Sequence, residues 1–360
     1  MKVLHVAPLN VAGVPYLIAD MQRRFGVETT LVTLHRSTLT FPEDICLDLP
    51  LPRHKLAHWW RTHKGGQPKP IERYEPSTES HTPVHSPRNV FEDVYFRYDD
   101  RRRERAVEEA IERYNLDKFE VIHYDGGMDF FRDSRTAKRW KASGKKIVCH
   151  YLGSDLRVRG IVPEMDALSQ LNLTNESDHL LLHRDIHYLY IPFDTRPYVA
   201  CSGHSGPLRI VHSPTNRSMK GTAFILPVIE AVKKVRDVEF VLIENTRHEE
   251  VLRIKQTCDI AIEQIGNLGG TGYGRNSLET LAMGIPTITE MTPDYRAWLP
   301  KNPFVLASRD TLFDVLLRII DHADLRAEYA SQGRTWVQQY HSYESVHARL
   351  QELYCEHHIL

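Results

Sequence analysis

The residues best suited to chemistry lie between Cys258 and Pro286. There the chain reads Cys-Asp-Ile-Ala-Ile-Glu-Gln-Ile-Gly-Asn-Leu-Gly-Gly-Thr-Gly-Tyr-Gly-Arg-Asn-Ser-Leu-Glu-Thr-Leu-Ala-Met-Gly-Ile-Pro. Glycine at 266, 269, 270, 272 and 274 gives a loop whose backbone can approach a ligand closely. The pattern after it predicts a helix opening near Asn276. A helix start offers N–H groups and the positive end of the dipole, a seat suited to a diphosphate. Gly272, Tyr273, Gly274, Asn276 and Ser277 surround that start, and Glu279 in its first turn could reach the hydroxyls of a ribose. By spacing alone, a glycine-rich turn with Glu279 as an ordinary N-terminal helix charge fits equally well.

A second group of residues follows a β-rich run: Val211-His212-Ser213-Pro214-Thr215-Asn216-Arg217-Ser218-Met219-Lys220-Gly221-Thr222. Arg217 and Lys220 could neutralise a pyrophosphate, the first as a fork and the second as a point charge. Two surface cations on a solvated loop would read the same way. Glu263 and Gln264, at a strand end just before the glycines, could contact a sugar or cap loop amides.

These groups need a scaffold. With 360 residues, the chain has room for two domains of about 150–200 residues each. Val3–Ala7, a loop with Gly13, a helical Val14–Phe25 and a strand Thr29–Leu34 form one βαβ unit, which implies a parallel sheet. Residues 50–95 hold seven prolines among Lys, Arg, His and Ser and predict an irregular insertion. A helix is expected over Arg101–Asn115, with Ala106, Ala110, Ile111 and Tyr114 on its buried face. Strands are expected at Val121–Tyr124, Lys146–His150, Leu180–Leu182 and Tyr188–Ile191, with a basic helix over Asp133–Ala142. Residues 194–207 read as a linker. A second α/β series follows: strands at Leu208–His212, Glu239–Ile243, Ile260–Ile262 and Thr287–Thr289, and helices over Thr222–Val235, Glu249–Lys255 and Asn276–Met283. Residues 325–354 are expected to be helical. Two doubly wound domains of this kind bind ligands at the carboxyl ends of their strands.

Composition narrows the function. The chain is 41% hydrophobic and 26% charged, with a formal net charge of −1, so no overall field draws nucleic acid or an anionic membrane. It shows no leader-like apolar segment and no run near the roughly 20 apolar residues of a membrane span. Five scattered cysteines without a C-x-x-C pair are neither a disulfide framework nor a zinc site. The sequons at Asn172 and Asn175 are then chance matches. The expectation is a cytoplasmic enzyme or binding protein. Arg53, Lys55, Trp59, Trp60, Arg61, Lys64 and Lys69 could give peripheral contact with a membrane or an anionic acceptor, or form a solvated loop.

Taken together, strand–loop–Lys-Gly-Thr–helix, then Asp-Ile-Ala-Ile-Glu-Gln, then Gly-Tyr-Gly-x-x-x-Leu-Glu-x-Leu-Ala-x-Gly-x-Pro resemble the donor half of GT-B glycosyltransferases of the family 4 type. The resemblance implies two Rossmann-like domains facing a central cleft: an acceptor-side domain over 1–196, a nucleotide-sugar domain over 206–335, and a C-terminal helix over 336–360 crossing back to the first. It implies that Lys220 binds the donor phosphates, amides around Gly274–Ser277 the diphosphate and sugar, and Glu279 the ribose. In the N-terminal half it carries over Asn10 and Gly13 to the donor phosphate and His150 to the donor sugar. His123, Asp125 and Asp155 stand on the acceptor side. Two positions depart from the family: Thr271 replaces the first of its two glutamates, and His212-Ser213-Pro214 replaces its Gly-Arg.

The implied activity is transfer of a sugar from a nucleoside-diphosphate sugar, the co-substrate, to a hydroxyl acceptor. It would proceed with retention and without metal or a resident cofactor. A silent nucleotide-sugar-binding protein and a sugar-nucleotide epimerase remain open. A nicotinamide enzyme is disfavoured, since no Gly-x-Gly-x-x-Gly follows the first strand.

Overall fold

The computed structural model describes residues 1–36, 41–49, 82–85, 90–153, 155–199, 206–266 and 272–360, the first three residues of the fourth segment by backbone alone. The described residues divide into two compact units. One runs from Met1 to Pro192 and takes in Val346–Leu360; the other is Phe193–Ser345.

The first unit is built on a seven-stranded sheet. Its strands are β1 (Lys2–Ala7), β2 (Glu28–Thr33), β3 (Ile45–Cys46), β4 (Val121–Asp125), β5 (Lys146–Tyr151), β6 (Leu171–Thr174) and β7 (His187–Tyr188). Their order is β3-β2-β1-β4-β5-β6-β7, and every pairing is parallel. The central strands are buried along nearly their whole length, as a parallel sheet covered by helices on both faces requires. Leu4, Val6, Ile122, Tyr124, Ile147 and Trp140 belong to one core cluster.

The second unit carries five parallel strands: β8 (Leu208–His212), β9 (Val238–Leu242), β10 (Ile260–Gln264), β11 (Thr287–Thr289) and β12 (Val305–Leu306), in the order β12-β11-β10-β8-β9. Ile210, Ile225, Ile229, Ile262, Ile288 and Leu316 anchor its core.

Several expectations need correction. The helix expected over Arg101–Asn115 runs Val90–Arg113. Its buried apolar residues, among those described, are Val107, Ala110 and Ile111, while Ala106 and Tyr114 are exposed. The charge-rich first half hid the start, and tertiary packing chose the neighbouring face. That helix also takes the end of the expected 50–95 insertion, and Val84 bridges in parallel to Ile161. The basic and aromatic residues from Arg53 to Lys69 lie outside the described residues. Leu180–Leu182 is not a strand but part of a one-turn helix, His179–Leu182, with Leu181 exposed. The strand expected over Tyr188–Ile191 shrinks to His187–Tyr188, and the sheet takes Leu171–Thr174 instead. Asn172 disguised that strand. Its buried side-chain amide donates to Asp166 and to the Asp185 carbonyl, each at 3.2 Å. Asn175 is buried as well, its amide donating to the Leu189 carbonyl.

The C-terminal helices Ala323–His341 and Tyr343–Glu356 follow. Val346, Leu350, Leu353 and Tyr354 are buried within the first unit. No helix among the described residues is long and apolar enough to cross a membrane.

Candidate functional site

In the second sheet the strand order reverses between β8 and β10, where open α/β sheets leave a crevice beyond their strand ends. The chain leaving β8 carries Ser213, Arg217 and Lys220; β10 ends in Glu263 and Gln264; the Arg275–Ala282 helix supplies Asn276, Ser277 and Glu279. Lys220 ends a one-turn helix, Arg217–Lys220, capped by Asn216, whose Oδ1 accepts from the Ser218 and Met219 N–H groups. Gly221 follows at φ 68, and a Cβ there would lie 1.7 Å from the Ile265 carbonyl oxygen. Only glycine lets this turn close against β10.

A continuous polar chain results. Lys220 Nζ donates to Glu263 Oε1 and lies 3.3 Å from Gln264 Oε1. Asn276 Nδ2 donates to the other Glu263 oxygen. Asn276 Oδ1 accepts from Ser213 Oγ at 2.6 Å and from Lys255 Nζ at 2.5 Å. Lys255 Nζ also donates to Glu279 Oε2 at 2.6 Å, and His248 Nε2 is 2.6 Å from Glu279 Oε1. Arg275 Nε stands 3.5 Å from the same carboxylate. Burial would raise both carboxyls, but their cations win. Lys255 and His248 hold Glu279 at about 2, and Lys220 with Asn276 holds Glu263 below its ordinary range.

The N-cap residue, Gly274, makes no side-chain cap. A Cβ built on Gly274 would meet none of the described residues within 4 Å, so the backbone is approachable there. Gly272, at φ 136, is pressed on Met291, whose Cγ would sit 2.5 Å from an added Cβ. Ser277 is fully buried. Tyr273 points its ring into a cluster with Tyr295, Phe304 and Trp336, and its hydroxyl is 3.2 Å from His341 Nε2. Arg217 is outside the chain of contacts: its guanidinium forks onto Glu244 at 2.6 and 2.7 Å, with the side chain 55% exposed. His212 is buried, its ring held between the Ile262 carbonyl and Thr222. Thr271 and the glycines at 269 and 270 lie outside the described residues.

The first sheet reverses between β1 and β4, and polar residues gather there too. Parallel register sets His5 beside His123, and Asp125 beside His150. His5 Nδ1 donates to Asp125 Oδ2 at 2.9 Å, and its Nε2 is 3.0 Å from Gln22 Oε1. Gln22 Nε2 donates to the Tyr354 hydroxyl at 3.2 Å, which also contacts His123 Nε2. His150 Nδ1 is 3.6 Å from Asp125 Oδ1. All four sheet residues are at most 1% exposed. Burial pushes the His123 imidazolium well down, and His5 with His150 holds the Asp125 carboxyl far below its usual range against burial.

Asp155, by contrast, is raised by burial; it accepts the Leu152 N–H at 2.9 Å and lies 3.5 Å from Arg159. Asn10 is fully buried, donating to the Pro42 carbonyl at 2.7 Å and receiving the Tyr16 N–H. Gly13 is buried at the start of the Val14–Arg24 helix.

No protein-family model matches the chain, and no curated protein matches it in sequence. Solved structures do match in fold. The catalytic domain of starch synthase IV from Arabidopsis thaliana, bound to ADP and acarbose, superposes with a TM-score of 0.59 over 99% of each chain at 10% identity. A UDP-N-acetylglucosamine 2-epimerase matches with 0.54, over 100% of this chain and 97% of its own, at 10% identity. The glycotransferase of kitacinnamycin matches with 0.50, over 98% of both chains, at 12% identity. The fold is GT-B.

Within this GT-B chain the structure brings Lys220, Glu263, Gln264, Asn276 and Glu279 together, and separately His123, Asp125 and His150. It does not bring Arg217 to Lys220. Sequence reasoning missed Lys255 and His248 as partners of Glu279, and Ser213 as a partner of Asn276. It also missed His5, Gln22 and Tyr354. The parallel register of β1 and β4 could have found His5. Lys255 gave no signal, since a lysine in the last turn of a short helix reads as a surface charge.

Proposed function

We propose that this chain is a glycosyltransferase that moves a sugar from a nucleoside-diphosphate sugar to a hydroxyl acceptor, with the donor seated on the second unit. One observation carries the reading. At the switch point of the second sheet, the approachable helix start at Gly274–Asn276 lies within one hydrogen-bond chain of Lys220 and Glu279.

In this reading the amides of the helix start and the Lys220 ammonium take the diphosphate and stabilise the negative charge that grows on it as the glycosidic bond breaks. That charge stabilisation works without a divalent metal. Glu279, held ionised, meets the ribose, with Lys255 and His248 fixing its orientation. Gln264 and Glu263 stand nearest for sugar hydroxyls. Asn10 and Gly13 shape the loop after β1. His123, Asp125 and Asp155 serve the acceptor side, which belongs to the first unit. Retention of anomeric configuration, a saccharide, lipid-linked or small-molecule acceptor and a cytoplasmic site of action complete the proposal.

The test is a thermal-shift screen against UDP-, GDP-, ADP- and CMP-sugars, followed by transfer assays with the stabilising donor. A ligand at 100 times its Kd adds about 2.7 kcal/mol to stability. One donor class should stabilise the protein and Lys220→Ala should weaken it; equal binding by that variant removes the assignment.

The epimerase among the structural neighbours favours one second reading, sugar-nucleotide epimerisation. It would consume the donor with no acceptor present. A silent donor-binding protein would bind and do neither.

A further inference from the structure

The contact that most needs explaining is the one Lys220 already makes. Glu263 is buried, with its side chain 0% exposed, and one oxygen takes Lys220 while the other takes Asn276. Lys220 is the member of this pair that reaches solvent, at 20% exposure. The neighbouring Gln264 is 2% exposed, and its Nε2 has no hydrogen-bond partner among the described residues, although its Oε1 lies 3.3 Å from Lys220. A buried amide donor without a partner is unfavourable by about 1–3 kcal/mol and marks a place where an acceptor belongs.

We propose that Glu263 is a resident counter-ion that a diphosphate must displace from Lys220, and that the displaced carboxylate takes up a proton from solvent as the ligand binds. The proposal rests on the donor-site reading above. It makes Glu263 a residue that sets donor affinity and its pH dependence.

The groups around Glu263 decide the balance. From the Arg217–Lys220 turn comes Lys220, which leaves for the phosphate. From the Arg275–Ala282 helix comes Asn276, a neutral donor, with Glu279 behind it. Lys255, from the His248–Lys255 helix, is already shared by Asn276 Oδ1 and Glu279. From β8 comes His212, its ring tied to Ile262 and Thr222. Glu290, after β11, is turned to the Gly266 N–H at 2.6 Å. No other cation among the described residues bonds to Glu263, so losing Lys220 leaves a buried carboxylate beside a new dianion. Both effects favour the protonated form. One proton moves from buffer to a Glu263 oxygen, and no other bond changes.

The experiment is calorimetric titration of the full chain with UDP, GDP and ADP, each in two buffers of different ionisation enthalpy, for wild type and Glu263→Gln. For wild type, the enthalpy of the binding nucleotide should differ between buffers by the amount expected for proton uptake, and affinity should fall as pH rises from 6 to 8. Glu263→Gln keeps the shape but not the charge. It should bind about tenfold tighter at pH 7.5, equivalent to one pK unit, with no buffer dependence. Tight binding by the variant where wild type binds nothing also supports displacement.

Wild-type binding with no proton uptake overturns the inference while leaving the donor site standing. If the variant misfolds, the wild-type buffer dependence alone decides. If none of the three nucleotides binds either protein, the donor-site reading fails first and the inference with it.

Discussion

The two switch points of this chain hold polar residues in opposite ways. In the first unit, three imidazoles and one carboxylate, His5, His123, His150 and Asp125, are sealed within β1, β4 and β5. In the second, Lys220 and Lys255 alternate with Glu263 and Glu279, and one end of the chain reaches solvent through Lys220. An imidazole can shed its proton when buried, so a histidine network tolerates complete enclosure. Lysine and glutamate remain charged near neutrality and must be paired on every buried side. The second network is therefore the one whose exposed end can exchange a partner for an incoming anion.

The largest contrast should come from removing charge. Lys255→Met keeps length but leaves Glu279 buried with His248 and Arg275 as its paired cations among the described residues. It should lower stability by about 3 kcal/mol, read from urea unfolding, since breaking a buried pair on one side costs several kcal/mol. Asp125→Asn in the first unit removes charge but keeps an acceptor for His5, and a loss of about 1–2 kcal/mol is expected in the same measurement. If the two losses are equal, the distinction between the networks is wrong.

The pH dependence separates two carboxyls in sign, one from each unit. Glu279 is held at about 2 against an ordinary 4.5, so its contribution is complete above about 4.5 and is lost as pH falls toward 2. Asp129, in the first unit, is raised to about 6 by burial despite accepting the Thr136 and Ala137 N–H groups. Its contribution is complete below its ordinary 3.8 and is lost as pH rises through 6. Stability measured against pH should lose part of its acid limb in Glu279→Gln, where Asp125 also contributes, and part of its rise-of-pH limb in Asp129→Asn, where Asp155 also contributes. Exchange of these two outcomes would reverse the account. The smallest effect belongs to Arg217→Ala. Its exposed pair with Glu244 should leave both the unfolding midpoint and nucleotide affinity unchanged within error.

How much the sequence showed follows the same physics. Parallel strands buried along nearly their whole length, such as Val121–Asp125 and Lys146–Tyr151, read directly as strands. The glycine-rich approach to Arg275–Ala282 read as a helix start because glycine and the apolar period meet there. Two-residue strands such as Ile45–Cys46 and His187–Tyr188 carry no periodicity, and Leu171–Thr174 was masked by Asn172. At the site, Lys220, Glu263 and Glu279 were recognisable as types, but not their mutual occupation. That depends on Lys255 and His248, brought in from a helix whose charges look solvated in sequence. Arg217 lay three residues from Lys220 and seemed its companion, yet the one-turn helix carries it to Glu244. Spacing fixes which residues share a loop, not which way a single turn points them.

The central claim is that the helix start at Gly274–Asn276 seats a diphosphate. Hydrogen exchange of the backbone amides, followed with and without a saturating nucleoside diphosphate, tests it most directly. Slowed exchange at Arg275 and Asn276 in wild type, reduced in Lys220→Ala, is the predicted result. Nucleotide binding that leaves those two amides unchanged while protecting amides elsewhere would contradict it.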